Sequence, residues 1–193
     1  MIVLEGIDGA GKSQLTRALS TKTVRGTSIF TTQEPTDGLI GTLLRKYLDS
    51  SSHLFSPRTA AYLFAADRYE HLHGSDGILS KNDTSYVLID RYIFSSFAYQ
   101  GLNVGYKVLW DLNREFPFPE TLIYLDLPIE VAWQRIRKNR MAKDHFETIA
   151  LLEKIKERYE EILRLLEDSE VNILRIQADI PPERLAEVVI QAL

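Results

Sequence analysis

Gly6-Ile7-Asp8-Gly9-Ala10-Gly11-Lys12-Ser13 fits the pattern GxxxxGK[ST], and it stands between the apolar run Met1 to Leu4 and the helix-like stretch Gln14 to Ser20. Strand, glycine loop and helix follow in the order this pattern needs to be functional. Gly6 and Gly11 allow a tight turn whose N–H groups point inward, and the helix that follows adds its positive end, so the loop can cradle phosphate oxygens. Lys12 would reach the β- and γ-phosphates. The Ser13 hydroxyl would hold Mg²⁺, a hard ion that prefers oxygen ligands.

Outward from the loop, apolar runs alternate with helical stretches, which reads as βαβ units on a parallel sheet. Strands are expected at Ile2 to Glu5, Ser28 to Gln33, Tyr86 to Asp90, Leu122 to Asp126 and Val171 to Ile176. The clearest helix is Ile149 to Leu166, where Leu151, Leu152, Ile155, Tyr159, Ile162, Leu163 and Leu166 recur at helical spacing. Pro57 to Leu72 reads as another, and Pro181-Pro182 opens a last one over Glu183 to Ala192.

The 193 residues fit one domain, residues 1–193, and 45% hydrophobic content fits a globular core. A net charge of −4 argues against a nucleic-acid surface but not against a local phosphate site. No apolar run approaches the ~20 residues of a membrane span, and no leader precedes the first strand, so a cytoplasmic protein without membrane attachment is the expectation. With no cysteine, thiolate metal sites and cysteine catalysis are excluded.

Several side chains fall where ligands meet such a sheet, beyond the carboxyl ends of its strands. Gln33-Glu34-Pro35-Thr36 follows the second strand and reads equally as a turn or as a pocket wall. Phe64 and Arg68 are four apart and share a helix face, from which a ring could stack on a base and a guanidinium could donate to its carbonyl. Taken alone, Phe64 also suits a core and Arg68 a solvated surface. Two strands end in a carboxylate, the placement that sets an aspartate beside Mg²⁺. Asp90 is favoured over Asp126 because Arg91 follows it and can grip a phosphate, whereas Leu127-Pro128 follows the other. Ser95 and Ser96 come next, with Tyr99 on the same helical side as Ser96. Arg135, Arg137, Lys138, Arg140 and Lys143 form a basic run, either a solvated helix face or a lid. The lid reading gains from Gly9, because the glycine loop carries no arginine of its own and phosphoryl transfer needs positive charge on the moving group.

Together these residues resemble the thymidylate kinase family over nearly the whole chain. The matching stretches are EGIDGAGKS at 5–13, QEPTDG at 33–38, LFAADR at 63–68, DRY at 90–92, SSFAYQG at 95–101 and a basic segment ending in DHFE at 144–147. The resemblance implies a P-loop NTPase fold, a five-stranded parallel sheet between helices with a lid near 136–148, and commonly a homodimer. It implies an ATP-dependent kinase that phosphorylates thymidine monophosphate with Mg²⁺. By the same resemblance the loop from Gly6 to Gln14, with Arg135 against adenine, holds ATP. Asp8 bonds the sugar 3′-hydroxyl, Phe64 stacks on thymine, Arg68 bonds its carbonyl, Arg91 holds the acceptor phosphate, and Ser13 and Asp90 sit at Mg²⁺. Ser96 meets the base edge, Tyr99 packs under the deoxyribose, and Glu34, Pro35 and Ser95 complete the acceptor pocket. Arg140, or in its place Arg137, resembles the catalytic arginine, in the subgroup that supplies this charge from the lid. Gln33 and His145 stand where the family usually has arginine. The alternatives are a deoxynucleoside kinase, which would take an acceptor hydroxyl, and a silent nucleotide-binding regulatory homologue.

Overall fold

The computed structural model describes residues 1–49, 54–81, 85–139 and 149–193. The chain runs β1 (Ile2–Glu5), α1 (Lys12–Leu19), β2 (Thr23–Val24), β3 (Thr27–Gln33), α2 (Leu39–Asp49), α3 (Pro57–His73), β4 (Tyr86–Asp90) and α4 (Ile93–Ser95). A π-turn at Ser96–Gln100 leads to α5 (Gly101–Val104), α6 (Tyr106–Asn113), β5 (Thr121–Asp126), α7 (Ile129–Asn139), α8 (Ile149–Leu166), β6 (Asn172–Gln177) and α9 (Pro182–Ala192).

The sheet order is β2-β3-β4-β1-β5-β6, with all pairings parallel except β2 against β3. The expected sheet of five parallel strands is therefore corrected, among the described residues, to six strands, five of them parallel. The sixth comes from a hairpin whose turn, Arg25-Gly26, has positive φ at both residues (50° and 83°), as a two-residue turn between twisted strands requires. A strand of two residues carries no periodic pattern, and so it leaves no trace in the sequence.

β1 and β5 are buried at every position and β4 at all but Tyr86. This is why they read as continuous apolar runs: helices cover both faces of a parallel sheet. α8 spans the expected residues and turns Leu152, Ile155, Tyr159, Ile162, Leu163 and Leu166 into the core. Ser56 caps α3, its hydroxyl accepting from the Thr59 amide at 3.1 Å, and Pro57 takes the first turn. Among the described residues no helix is long and apolar enough to cross a membrane.

Because β1 lies between β4 and β5, the end of β1 is adjacent to the end of β4. Leu4 pairs with Asp90, and the Arg91 amide extends the ladder to the Leu4 carbonyl at 2.9 Å. On the other side Gln33 pairs with Asp90, and the Glu34 amide donates to the Asp90 carbonyl at 3.0 Å. Three loops distant in sequence thus leave the carboxyl ends of neighbouring strands together.

Candidate active site

The glycine loop closes over Lys12, which is 6% exposed and donates from Nζ to the carbonyls of Gly6 and Ile7 at 2.8 and 2.9 Å. Burial, aided by the charge of Arg91, pushes its pKa down to about 8, against the pull of Asp8, Asp90 and Glu5. Gly11 caps α1 in the left-handed conformation, φ 95°. Gly9 is required for a different reason. A Cβ there would lie 2.6 Å from the Ala132 carbonyl oxygen, so α7 packs directly on the loop backbone.

Asp90 and Asp126, equivalent as strand ends, have different surroundings. Asp90 is buried, Oδ2 accepts from Ser13 Oγ at 3.2 Å, and Oδ1 has no hydrogen-bond partner. A buried carboxylate oxygen without a partner, beside a hydroxyl that faces the phosphate loop, is an all-oxygen donor set that fits Mg²⁺. Asp126 instead accepts from Lys156 at 2.8 Å and from Arg175 at 2.7 and 2.9 Å. Although burial pushes its pKa up, Lys156 and Arg175 hold it below the ordinary range, and the group is an anchor between α8 and β6.

Beyond Asp90 the backbone turns at Arg91 with φ 69°, which aims its side chain back across the cleft. Arg91 pairs with Asp8 of the loop, donates to Ser95 Oγ at 3.1 Å and to Tyr99 Oη at 3.3 Å, and stacks over the Tyr99 ring at 4.9 Å. Beneath lies Glu5, fully buried, whose carboxylate accepts from the Tyr92 and Ser95 amides and from the hydroxyls of Ser95 and Tyr159 at 2.6 to 3.1 Å. Burial pushes its pKa up despite these donors and the charge of Arg91. A carboxyl whose pKa rises on folding binds its proton more tightly in the folded state, so stability falls as pH rises from the ordinary carboxylate value through the raised one. Glu5→Gln should remove that slope in denaturant-derived stability measured against pH, and an unchanged slope would show that Glu5 does not cause it.

Arg68 is 1% exposed despite its charge. Nε donates to Glu34 Oε2 at 2.9 Å, Nη2 lies 2.8 Å from the same oxygen and 3.3 Å from Ser96 Oγ, and Nη1 bonds Asn113 Oδ1. Phe64, one turn earlier on α3, lies half-buried in the same wall. The two ends form one cleft of about 1190 Å³, lined by the glycine loop, Arg135 and the Ala178–Pro182 turn at one side and by Phe64, Arg68, Arg91, Ser96 and Tyr99 at the other. Glu34, Pro35 and Ser95 also border it. Arg135 reaches the Gly9 and Ala178 carbonyls and Asp179 at 3.2 to 3.5 Å.

Residues 136–139 of the expected lid are the last turn of α7, with Arg137 exposed, while Arg140 and His145 lie outside the described residues. Arg45 on α2 lines the cleft, donating to the Pro35 carbonyl and pairing with Asp37, both at 2.9 Å. It was invisible as a site residue because nothing local marks it. Asn113, His71, Glu5 and Tyr159 were equally invisible, since their partners are distant in the chain.

A glycine loop on a helix start, a strand-end aspartate against its serine, and a second cation-bearing pocket in the same cleft are the parts of a phosphotransferase that moves a phosphoryl group between two nucleotides. A family model described as Thymidylate kinase matches residues 4–187. A Treponema pallidum protein is 43% identical over 84% of this chain and 78% of its own. The thymidylate kinase of Leptospira interrogans serovar copenhageni is 39% identical over 84% and 80%, and that of Leptospira borgpetersenii 37% over the same shares. The chain belongs to the thymidylate kinase family, and it is an ATP-dependent kinase that converts thymidine monophosphate to thymidine diphosphate.

Proposed function

We propose that the glycine-loop side of the cleft takes ATP and that the side walled by Phe64, Arg68 and Tyr99 takes thymidine monophosphate, with the γ-phosphoryl passing between them beside Lys12 and Arg91. The single observation that carries this reading is the cleft itself, which joins the loop to a pocket of the right chemistry without a wall between them. Lys12 neutralises phosphate charge, and Arg135 stacks on adenine. Ser13 and Asp90 would hold Mg²⁺, which supplies further charge neutralisation on the phosphate oxygens.

At the acceptor side Phe64 stacks on the base and Arg68 donates to its carbonyl. Arg91 grips the acceptor phosphate and exchanges part of its bond to Asp8, which turns to the sugar hydroxyl. Tyr99 closes under the deoxyribose. Arg45 adds a second cation at the pocket edge. Membership of the family also implies a homodimer, which light scattering would show at twice the 22.1 kDa chain mass.

Steady-state kinetics on thymidine, deoxyuridine, deoxycytidine and uridine monophosphates test the pocket. Thymidine monophosphate should exceed deoxyuridine monophosphate only modestly, because one methyl in an apolar pocket is worth ~1 to 3 kcal/mol. Deoxycytidine monophosphate should fare worse, since its amino group would meet the Arg68 donors and leave buried polar groups unpaired. Equal efficiency with deoxycytidine and thymidine monophosphates would contradict the assignment, as would an Arg68→Ala variant with the same ranking as the parent.

A further inference from the structure

We infer that His71 is a positioning residue for base discrimination: it holds Glu34, and through it Arg68, in the arrangement that accepts a carbonyl and refuses an amino group. The inference rests on the reading of Arg68 as the donor to the base.

The observations form one chain of contacts. Glu34 has one carboxylate oxygen, Oε2, on Arg68 and the other, Oε1, 3.1 Å from His71 Nδ1. The His71 side chain is 6% exposed, and its Nε2 lies 2.8 Å from Thr32 Oγ1. On the far side of the guanidinium, Asn113 donates from Nδ2 to the Leu109 carbonyl at 2.7 Å, which turns its Oδ1 toward Arg68. The Tyr92 and Phe116 rings hold the Arg68 guanidinium at 5.1 and 5.6 Å. β3, α3 and α6 therefore fix a single orientation of a charged group that borders the cleft.

A buried arginine needs a carboxylate, but a carboxylate at a base pocket is itself a hazard. An oxygen of Glu34 without a donor would accept from the exocyclic amino group of a cytosine, the group Arg68 is there to refuse. Because Nδ1 faces a carboxylate, it carries a proton there, and its bond occupies that oxygen. A buried histidine that merely filled space would have no such relation to the base.

The test measures the ratio of kcat/KM for thymidine monophosphate to that for deoxycytidine monophosphate. His71→Ala should lower this ratio about tenfold, the scale of one misplaced polar contact, while the KM for ATP stays within about twofold. An asparagine amide reaches the Nδ1 position and a glutamine amide the Nε2 position, so His71→Asn should restore the ratio and His71→Gln should not. Identical ratios in the asparagine and glutamine variants would overturn the inference even if the alanine variant failed to fold. So would an alanine variant with lowered melting temperature and an unchanged ratio. Arg68→Ala separates the two levels: if it leaves the ratio intact, the base reading itself is wrong, whereas if it collapses the ratio and His71→Ala does not, only the role of His71 falls.

Discussion

Lys12→Ala should lower turnover by at least about 10³-fold, to the limit of detection in a coupled assay. Lys12 is 6% exposed and its ammonium is already held by two loop carbonyls, so the ligand finds it in place and little reorganisation accompanies the reaction. Alanine deletes the charge and the two bonds to the Gly6 and Ile7 carbonyls, while the Gly11 cap and the contact of Gly9 with α7, which do not involve the side chain, remain. Lys12→Arg should rescue little, since a planar fork does not fit between the Gly6 and Ile7 carbonyls. Calorimetric ATP binding and thermal melting would accompany the kinetics. A rate within about tenfold of the parent, equivalent to only ~1.4 kcal/mol of barrier, would mean that the loop is not where the phosphoryl group moves.

How much of this was legible in the sequence depended on the range of the interactions. The glycine loop declared itself because its turn, cation and hydroxyl lie within eight residues, and the buried strands did so because burial on both faces leaves unbroken apolar runs. Asp90 and Asp126 look alike locally, and what separates them is Ser13 for one and Lys156 with Arg175 for the other, partners 30 to 77 residues away. The surroundings of Arg68 were hidden for the same reason. Its carboxylate is 34 positions away and its amide 45, so the residue taken alone reads first as a solvated arginine. Glu34 shows the cost of reading residues one at a time: it borders the pocket as expected, but both oxygens serve Arg68 and His71. The hairpin strand β2 is the converse case, a local feature too short to leave a period.

Arg140→Ala should lower the catalytic constant by about 10³-fold or more with little change in either KM, since arginine charge aimed at a phosphoryl transition state is worth ~10³ to 10⁵ in comparable enzymes. The backbone of Gly9 lies against Ala132 so closely that a Cβ there would meet the Ala132 carbonyl oxygen of α7 at 2.6 Å. The loop therefore cannot deliver a cation of its own without displacing α7. Arg135 does face the loop, but its guanidinium is engaged by the Gly9 and Ala178 carbonyls and by Asp179, and Arg135→Ala should chiefly raise the KM for ATP. Arg137 comes two residues later, about 200° further around the helix at 3.6 residues per turn, and it is exposed. On this reading the further charge that meets the transferring group comes from Arg140, the first arginine after α7 in the sequence, with Arg137 near the end of α7 as the substitute. Single-turnover rates for Arg140→Ala, Arg137→Ala and the double variant decide it. If even the double variant turns over within a few-fold of the parent, the basic run is a solvated helix face and the transition state is stabilised by Lys12 and Arg91 without it.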